Sequence, residues 1–241
     1  MILSRLNPIA EAVRSRPRQI EWVLFDSGRR DRRIQELKSL CRQKGVSVRY
    51  GERPVLDRLA PAHQGVLARL AARAYSRPEE ALEGKTGDRL LFLLDEIQDP
   101  QNLGAVIRVA EGVGASVILP ERGSAPLSEA VEKSSAGAVE RVRVGRVTNL
   151  ARFIDLIKDK GFRVIGLDAS GGDLFGIDLT GDLALVFGAE GRGMRRLVRE
   201  KCDILARLPM KGRLGSLNVA TAAAAAAYEA VRQRSHSTEN P

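Results

Sequence analysis

Cysteine and histidine are nearly missing from this chain of 241 residues, with two of each. Cys41 and Cys202 are too few and too far apart for a disulfide framework or a zinc site, so both are expected to be reduced, in a cytoplasmic protein. His63 and His236 leave little material for a histidine-rich metal centre or a Ser/His triad, and His236 falls in a polar tail; no metal is expected. Long apolar runs are missing too. No stretch reaches the roughly 18 apolar residues of a membrane-spanning helix, and residues 1–8 contain no apolar core of signal-peptide length. The expectation is a soluble protein with no membrane partner.

What is present is enough for a folded interior. With 44% hydrophobic and 29% charged residues the chain can bury one sizeable core, or one core and a small accessory domain. The formal net charge is +9, and residues 1–90 hold 19 basic and 11 acidic side chains against 20 and 19 in the remainder. Clustered Lys and Arg release counterions from a polyanion, so nucleic acid or an anionic membrane surface fits the amino-terminal excess; the plainer alternative is arginines that only keep a surface solvated.

Hydrophobic periodicity divides the chain. Residues 20–25 read as a strand, 30–44 as a basic amphipathic helix, 46–50 as a second strand and 53–59 as a further helix: a small α/β unit over residues 1–75. Residues 76–88 are polar and rich in helix breakers, the composition of a linker. From 89 to 241 strands (90–94, 116–119, 163–167, 183–187) alternate with helices (103–113, 126–135, 149–160, 217–234). That alternation predicts an α/β domain with a mostly parallel sheet covered on both faces, and ligands in such sheets bind beyond the carboxyl ends of the strands. In the last helix residues 222–227 are all alanine, through plain helix propensity or to let another backbone approach closely.

Three segments placed after strands combine glycine with polar side chains. The first runs from Asp95 through Asp99, Pro100 and Asn102 to Arg108; Asp99 or Asn102 suits a helix start, and Arg108 by itself reads as an ordinary exposed helix arginine. The second is Gly188-Ala189-Glu190-Gly191-Arg192-Gly193. Its glycine spacing reverses the dinucleotide fingerprint, and Gly84-Lys85-Thr86 lacks the first glycine of a phosphate loop because Glu79 stands there. The third runs from Leu208 and Met210 through Gly212 and Gly215 to Ser216, Leu217 and Asn218, with Ser216 expected to cap the alanine helix and Asn218 in its first turn.

As an ordered set these segments resemble the three motifs of the SpoU/TrmH family of RNA ribose 2′-O-methyltransferases, within the SPOUT superfamily, over residues 88–234. The amino-terminal part is similar to the accessory domain of the family's ribosomal RNA guanosine methyltransferases, including Asn7-Pro8 and the turn His63-Gln64-Gly65 before a strand. The resemblance implies a carboxyl-terminal parallel-sheet domain tied in a trefoil knot, a small amino-terminal α/β RNA-binding domain, and a homodimer formed through the carboxyl-terminal domain. It also implies S-adenosyl-L-methionine held by Gly188, Gly193, Leu208, Met210 and Leu217, with Arg108 near the target ribose and Asn102, Glu190, Ser216 and Asn218 around the reaction centre. The implied substrate is a guanosine of large-subunit ribosomal RNA; transfer RNA or another ribosomal site keeps the same chemistry. A non-catalytic RNA-binding assembly factor is the third reading, against which Asn102, Arg108, Glu190 and Asn218 count, since a retired site is free to lose them.

Overall fold

The computed structural model describes residues 2–60, 62–71, 74–212 and 215–238, with side chains at all of these except 18 and 236–238. The chain divides into two compact units, Met1–Arg73 and Ala74–Pro241. Charge follows the division: residues 1–73 hold 16 basic and 7 acidic side chains, the rest 23 of each, so the whole surplus of +9 lies in unit 1.

Unit 1 runs β1 (Ile2–Ser4), α1 (Leu6–Ser15), β2 (Ile20–Asp26), α2 (Arg32–Gln43), β3 (Val48–Gly51), α3 (Arg53–Leu59) and β4 (Val66–Leu70). Its sheet has the order β1-β4-β2-β3, with β2 and β3 parallel and β4 antiparallel to both β1 and β2. The strand period of two sorts β2 cleanly. Val23 and Phe25 pack with Ile9 and Val13 of α1 and with Ile34, Leu37 and Cys41 of α2, while Trp22 and Leu24 face Leu56 of α3. β1 and α1 are not among the elements expected from the sequence, although Ile9, Ala12 and Val13, at helical spacing, bury one face of α1.

Unit 2 runs β5 (Leu90–Asp95), α4 (Pro100–Gly112), β6 (Ser116–Pro120), α5 (Glu129–Ser134), β7 (Val144–Val147), α6 (Leu150–Asp159), β8 (Arg163–Asp173), β9 (Leu183–Gly188), α7 (Arg196–Lys201), β10 (Ile204–Arg207) and α8 (Val219–Thr238). Every pairing in its six-stranded sheet, β10-β8-β9-β5-β6-β7, is parallel. Helices cover both faces as a parallel sheet requires. Leu90, Phe92 and Leu94 of the central β5 share a cluster with α4 and α8, whereas Leu91 and Leu93 face Leu150, Ile154 and Ile157 of α6. Phe92 meets Phe187 edge to face at 5.4 Å. Alanines 223, 226, 227 and 230 are fully buried along α4, so the alanine run is a packed interface inside the unit.

Three expectations need correction. Residues 76–88 are not a free linker: Ser76 N–H donates to the Val144 carbonyl at 2.9 Å, and Ala81 and Leu82 are buried against Leu91, Leu93 and Ile154. Two apolar residues inside a polar stretch suffice to seat it. The strand expected at 163–167 extends to Asp173. β10 pairs first with Ile165 and Gly166, then shifts to Gly172 and Asp173, leaving 167–171 looped out between two paired stretches; the sequence Asp168-Ala169-Ser170-Gly171-Gly172 has no alternation by which to read it as strand. The cap of α8 is Asn218, not Ser216: its Oδ1 accepts from Ala220 N at 2.9 Å and Thr221 N at 3.4 Å.

Candidate active site

Because all strands of unit 2 point the same way, the segments leaving β8, β9 and β10 meet at one edge of the sheet, where they enclose a cleft of about 390 Å³, a size suited to a small-molecule cofactor. Residues 167–169 of the looped-out part of β8 form one wall, the turn 188–193 after β9 another, and 206–208 with Met210 a third; residues 215–217 lie across from them, with Val219 and Ala222 of α8. Met210 and Leu217 are each 37% exposed, apolar groups left at the rim for a ligand to cover.

The glycines have steric causes. Ala189 and Gly193 exchange backbone hydrogen bonds of 3.1 and 2.8 Å, closing the turn so tightly that a Cβ on Gly188 collides with the Gly193 carbonyl carbon. Gly193 itself sits at φ +69°, a region other L-residues rarely adopt. A brace from the neighbouring strand holds the turn. Asp95, fully buried at the end of β5, accepts from Arg195 N at 2.7 Å and Nε at 2.8 Å, and pairs with Nη2 at 2.6 Å.

At the mouth, Asn218 joins the three segments. Its Nδ2 donates to Asn102 Oδ1 at 2.9 Å and to Glu190 Oε1 at 2.7 Å, while its Oδ1 caps α8. One amide therefore fixes side chains from α4, the turn after β9 and the start of α8 together. All five residues expected at the cofactor, Gly188, Gly193, Leu208, Met210 and Leu217, line the cleft, as do Glu190 and Ser216. Asn102 and Asn218 do not line it themselves; Asn218 joins Asn102 to Glu190, which does. Arg108 does not line it; it is exposed on α4, and its guanidinium has no partner among the described residues.

Asp168 and Arg207 also line the cleft without having been read from the sequence, as does Arg192, which falls inside the second segment but was given no role there. Burial alone would raise the Asp168 carboxyl, but hydrogen bonds from the Ser170 hydroxyl and N–H, with Arg199 nearby, hold it below the usual carboxylate range, so a negative charge faces the cavity. Arg207 Nη1 donates to the Gly171 carbonyl at 2.6 Å and ties the looped-out segment to β10. Burial pushes the Cys41 thiol up to about 11 and Cys202 up to about 12, so neither supplies a thiolate nucleophile. Among the described residues no group of His, Cys, Asp and Glu is placed to hold a metal ion, and no helix is long and apolar enough to cross a membrane.

Residues 89–228 match the SpoU rRNA methylase family, and residues 6–76 match the family described as RNA 2′-O ribose methyltransferase substrate binding. The chain belongs to the SpoU methylase family. Among its SpoU relatives are a Bacillus subtilis protein named as a putative TrmH family tRNA/rRNA methyltransferase, 42% identical over 83% of each chain, and a 23S rRNA (guanosine-2′-O-)-methyltransferase from Ralstonia nicotianae, 41% identical over 97% of this chain and 96% of that one. Among solved structures it is similar to the SpoU methyltransferase AviRb from Streptomyces viridochromogenes in complex with AdoMet, with a TM-score of 0.68 and 26% identity over 98% of this chain and 91% of that one. Within this SpoU chain the three glycine-bearing segments are those that build the cleft and its Asn102–Asn218–Glu190 junction.

Proposed function

We infer that this chain transfers a methyl group from S-adenosyl-L-methionine to the 2′-hydroxyl of a guanosine in large-subunit ribosomal RNA, that it works in the cytoplasm, and that it does so as a homodimer formed through unit 2. The observation that carries the reading is the glycine-walled cleft with the Asn102–Asn218–Glu190 junction at its mouth, in a chain about two-fifths identical to named ribose methyltransferases over nearly its whole length.

The residues present fit the cofactor. Gly188 and Gly193 allow backbone close to it, Leu208, Met210 and Leu217 offer apolar surface to an adenine ring, and the Asp168 carboxylate suits its cationic or hydroxyl-bearing portion. Bound there, the cofactor supplies a methyl group on a sulfonium, already an activated donor. The chain's own work is to align the ribose oxygen with that methyl and to assist loss of the hydroxyl proton. Asn102, Glu190, Ser216 and Asn218 order the mouth where the ribose is received. Arg108, whose guanidinium resists deprotonation, orients the ribose and stabilises developing charge on its oxygen; a phosphate oxygen of the RNA is the easier proton acceptor. Its position outside its own chain's cleft suits a site completed when unit 2 pairs with a second copy.

The same reading takes the segments from β8 to α8 as the trefoil knot of the superfamily. Its support is the tight passage at Gly171, where a Cβ collides with the backbone of Leu205 and Ala206. The test of function is transfer of labelled methyl to total RNA from cells lacking the protein, followed by mapping of the modified nucleotide. Label at a 2′-O-methylguanosine in 23S RNA is the expected result; label on transfer RNA changes the substrate, and cofactor binding without transfer to any RNA leaves an assembly factor.

A further inference from the structure

A second cavity, of about 450 Å³, lies wholly within unit 1, where the start of α1, the turn after β2, the start of α3 and the turn before β4 converge. Arg5, Asp26, Arg29, Arg53, Asp57 and the turn 62–65 line it. Several of these side chains are already committed to one another. His63, 4% exposed, accepts from Gly65 N at its Nδ1 (2.8 Å), and its Nε2 lies 2.9 Å from Asp57 Oδ1; the ring is a latch between α3 and the turn. Arg29 is held by Asp31 at 2.5 Å and by the Gln64 carbonyl. Asp26 gives one oxygen to Gly28 N at 3.0 Å. The guanidiniums of Arg5 and Arg53 and the second oxygen of Asp26 have no partner among the described residues. Two of the four non-glycine residues at positive φ among the described residues, Arg5 (+80°) and Gln64 (+48°), belong to this cavity, and a conformation this unfavourable persists only where surrounding contacts impose it.

We propose that this cleft seats a single unpaired nucleotide of the RNA substrate, its phosphate on Arg5 and Arg53 and the N–H or O–H donors of its base or ribose on Asp26. The assignment rests on the reading of the chain as an RNA methyltransferase. Unit 1 carries all of the surplus positive charge, which draws RNA to this unit. A surface tracking a duplex backbone has no use for carboxylates, which repel successive phosphates. A carboxylate beside two unpaired arginines instead matches one nucleotide presented with its edge exposed, the form in which RNA sequence is usually read. His63 and Asp57 act as positioning residues by fixing the turn against α3.

The test uses the full chain and an unmodified in vitro transcript of 23S ribosomal RNA. The double variant Arg5→Gln/Arg53→Gln is compared with Arg14→Gln/Arg42→Gln, which removes the same charge from the last turns of α1 and α2. The cleft pair is expected to weaken transcript binding about tenfold and to flatten its salt dependence by about 0.7 per lost phosphate contact, with cofactor affinity unchanged; the control pair costs less than about twofold. Asp26→Asn, which keeps the acceptor for Gly28 but replaces the free oxygen with a donor, raises KM for the transcript several-fold. Equal losses in the two double variants, with wild-type methyl transfer intact, overturn the cleft and leave the methyltransferase reading standing. Absence of transfer by the wild type overturns that reading and the assignment with it.

Discussion

Asn218 does two jobs with one side chain: its oxygen caps α8, and its amide N–H groups hold Asn102 and Glu190. The two are separable by substitution. Asn218→Ala loses both, so the protein is expected to melt earlier, by about 1 kcal/mol of lost capping, and transfer to slow on the order of 10²-fold as the mouth loses its junction. Asn218→Asp keeps a capping oxygen and places a second carboxylate beside Glu190; melting is expected to return towards wild type while transfer stays slow. Thermal melts and single-turnover transfer read the two effects, and recovery of transfer in the aspartate variant would dismiss the junction. Arg108→Ala is expected to abolish transfer while cofactor affinity, followed by calorimetric titration, stays near wild type, because Arg108 lies outside the cleft. Parallel loss of both would place it at the cofactor instead.

At the scale of elements, Asp182 ties the chain's approach to β5 onto the start of β9. Burial by itself would raise its carboxyl, but hydrogen bonds from the Arg89 side chain and from the backbone N–H groups of Arg89 and Gly87 outweigh that and hold it at about 2. A carboxyl lowered in the folded state contributes stability that is complete above its unfolded value near 3.9 and is lost as pH falls through the folded one. The contribution is about 2 kcal/mol, lost between roughly pH 4 and 2. Asp182→Asn is expected to lower stability at neutral pH by that order and to flatten this part of the pH profile in urea melts; an unchanged slope would assign the acid sensitivity to other carboxylates.

The same scale shows what was legible in the sequence. β5, β6 and β9 announce themselves as unbroken apolar runs because both of their faces are buried, and α6 by its periodicity. β7, β10 and α7 are short and mixed in polarity, and their places come from pairing and packing that no local pattern records. The glycine-bearing segments stood out because steric need leaves a mark in composition. Asp168 and Arg207 did not: both are ordinary charged residues until β10 changes register and 167–169 enter the cleft wall. The buried Asp95 and its partner Arg195 are 100 residues apart and equally silent.

Across the whole molecule, chemistry and attraction are assigned to different units, one neutral and one strongly basic. Hydrogen exchange on the full chain tests the assignment. S-adenosyl-L-methionine is expected to slow exchange at residues 167–171, 188–193, 206–210 and 215–222 and to leave unit 1 unaffected, whereas ribosomal RNA protects the turns around residues 26–29 and 62–65. Cofactor protection appearing in unit 1 would refute the division.

The spacing of the cleft's walls along the chain also has a consequence for how the protein is made. Unit 1 is built from residues 1–73, ahead of unit 2 in the chain, and carries the whole positive surplus; domains generally fold as units in the order of synthesis. The cleft has no such early form. Its walls come from three separated stretches, and those that close it, 206–208, Met210 and 215–217, follow unit 1 by well over a hundred residues. A nascent chain therefore presents its basic surface to RNA well before it can accept a methyl donor, and ligand stabilisation of unit 2 begins only once these later stretches have been made.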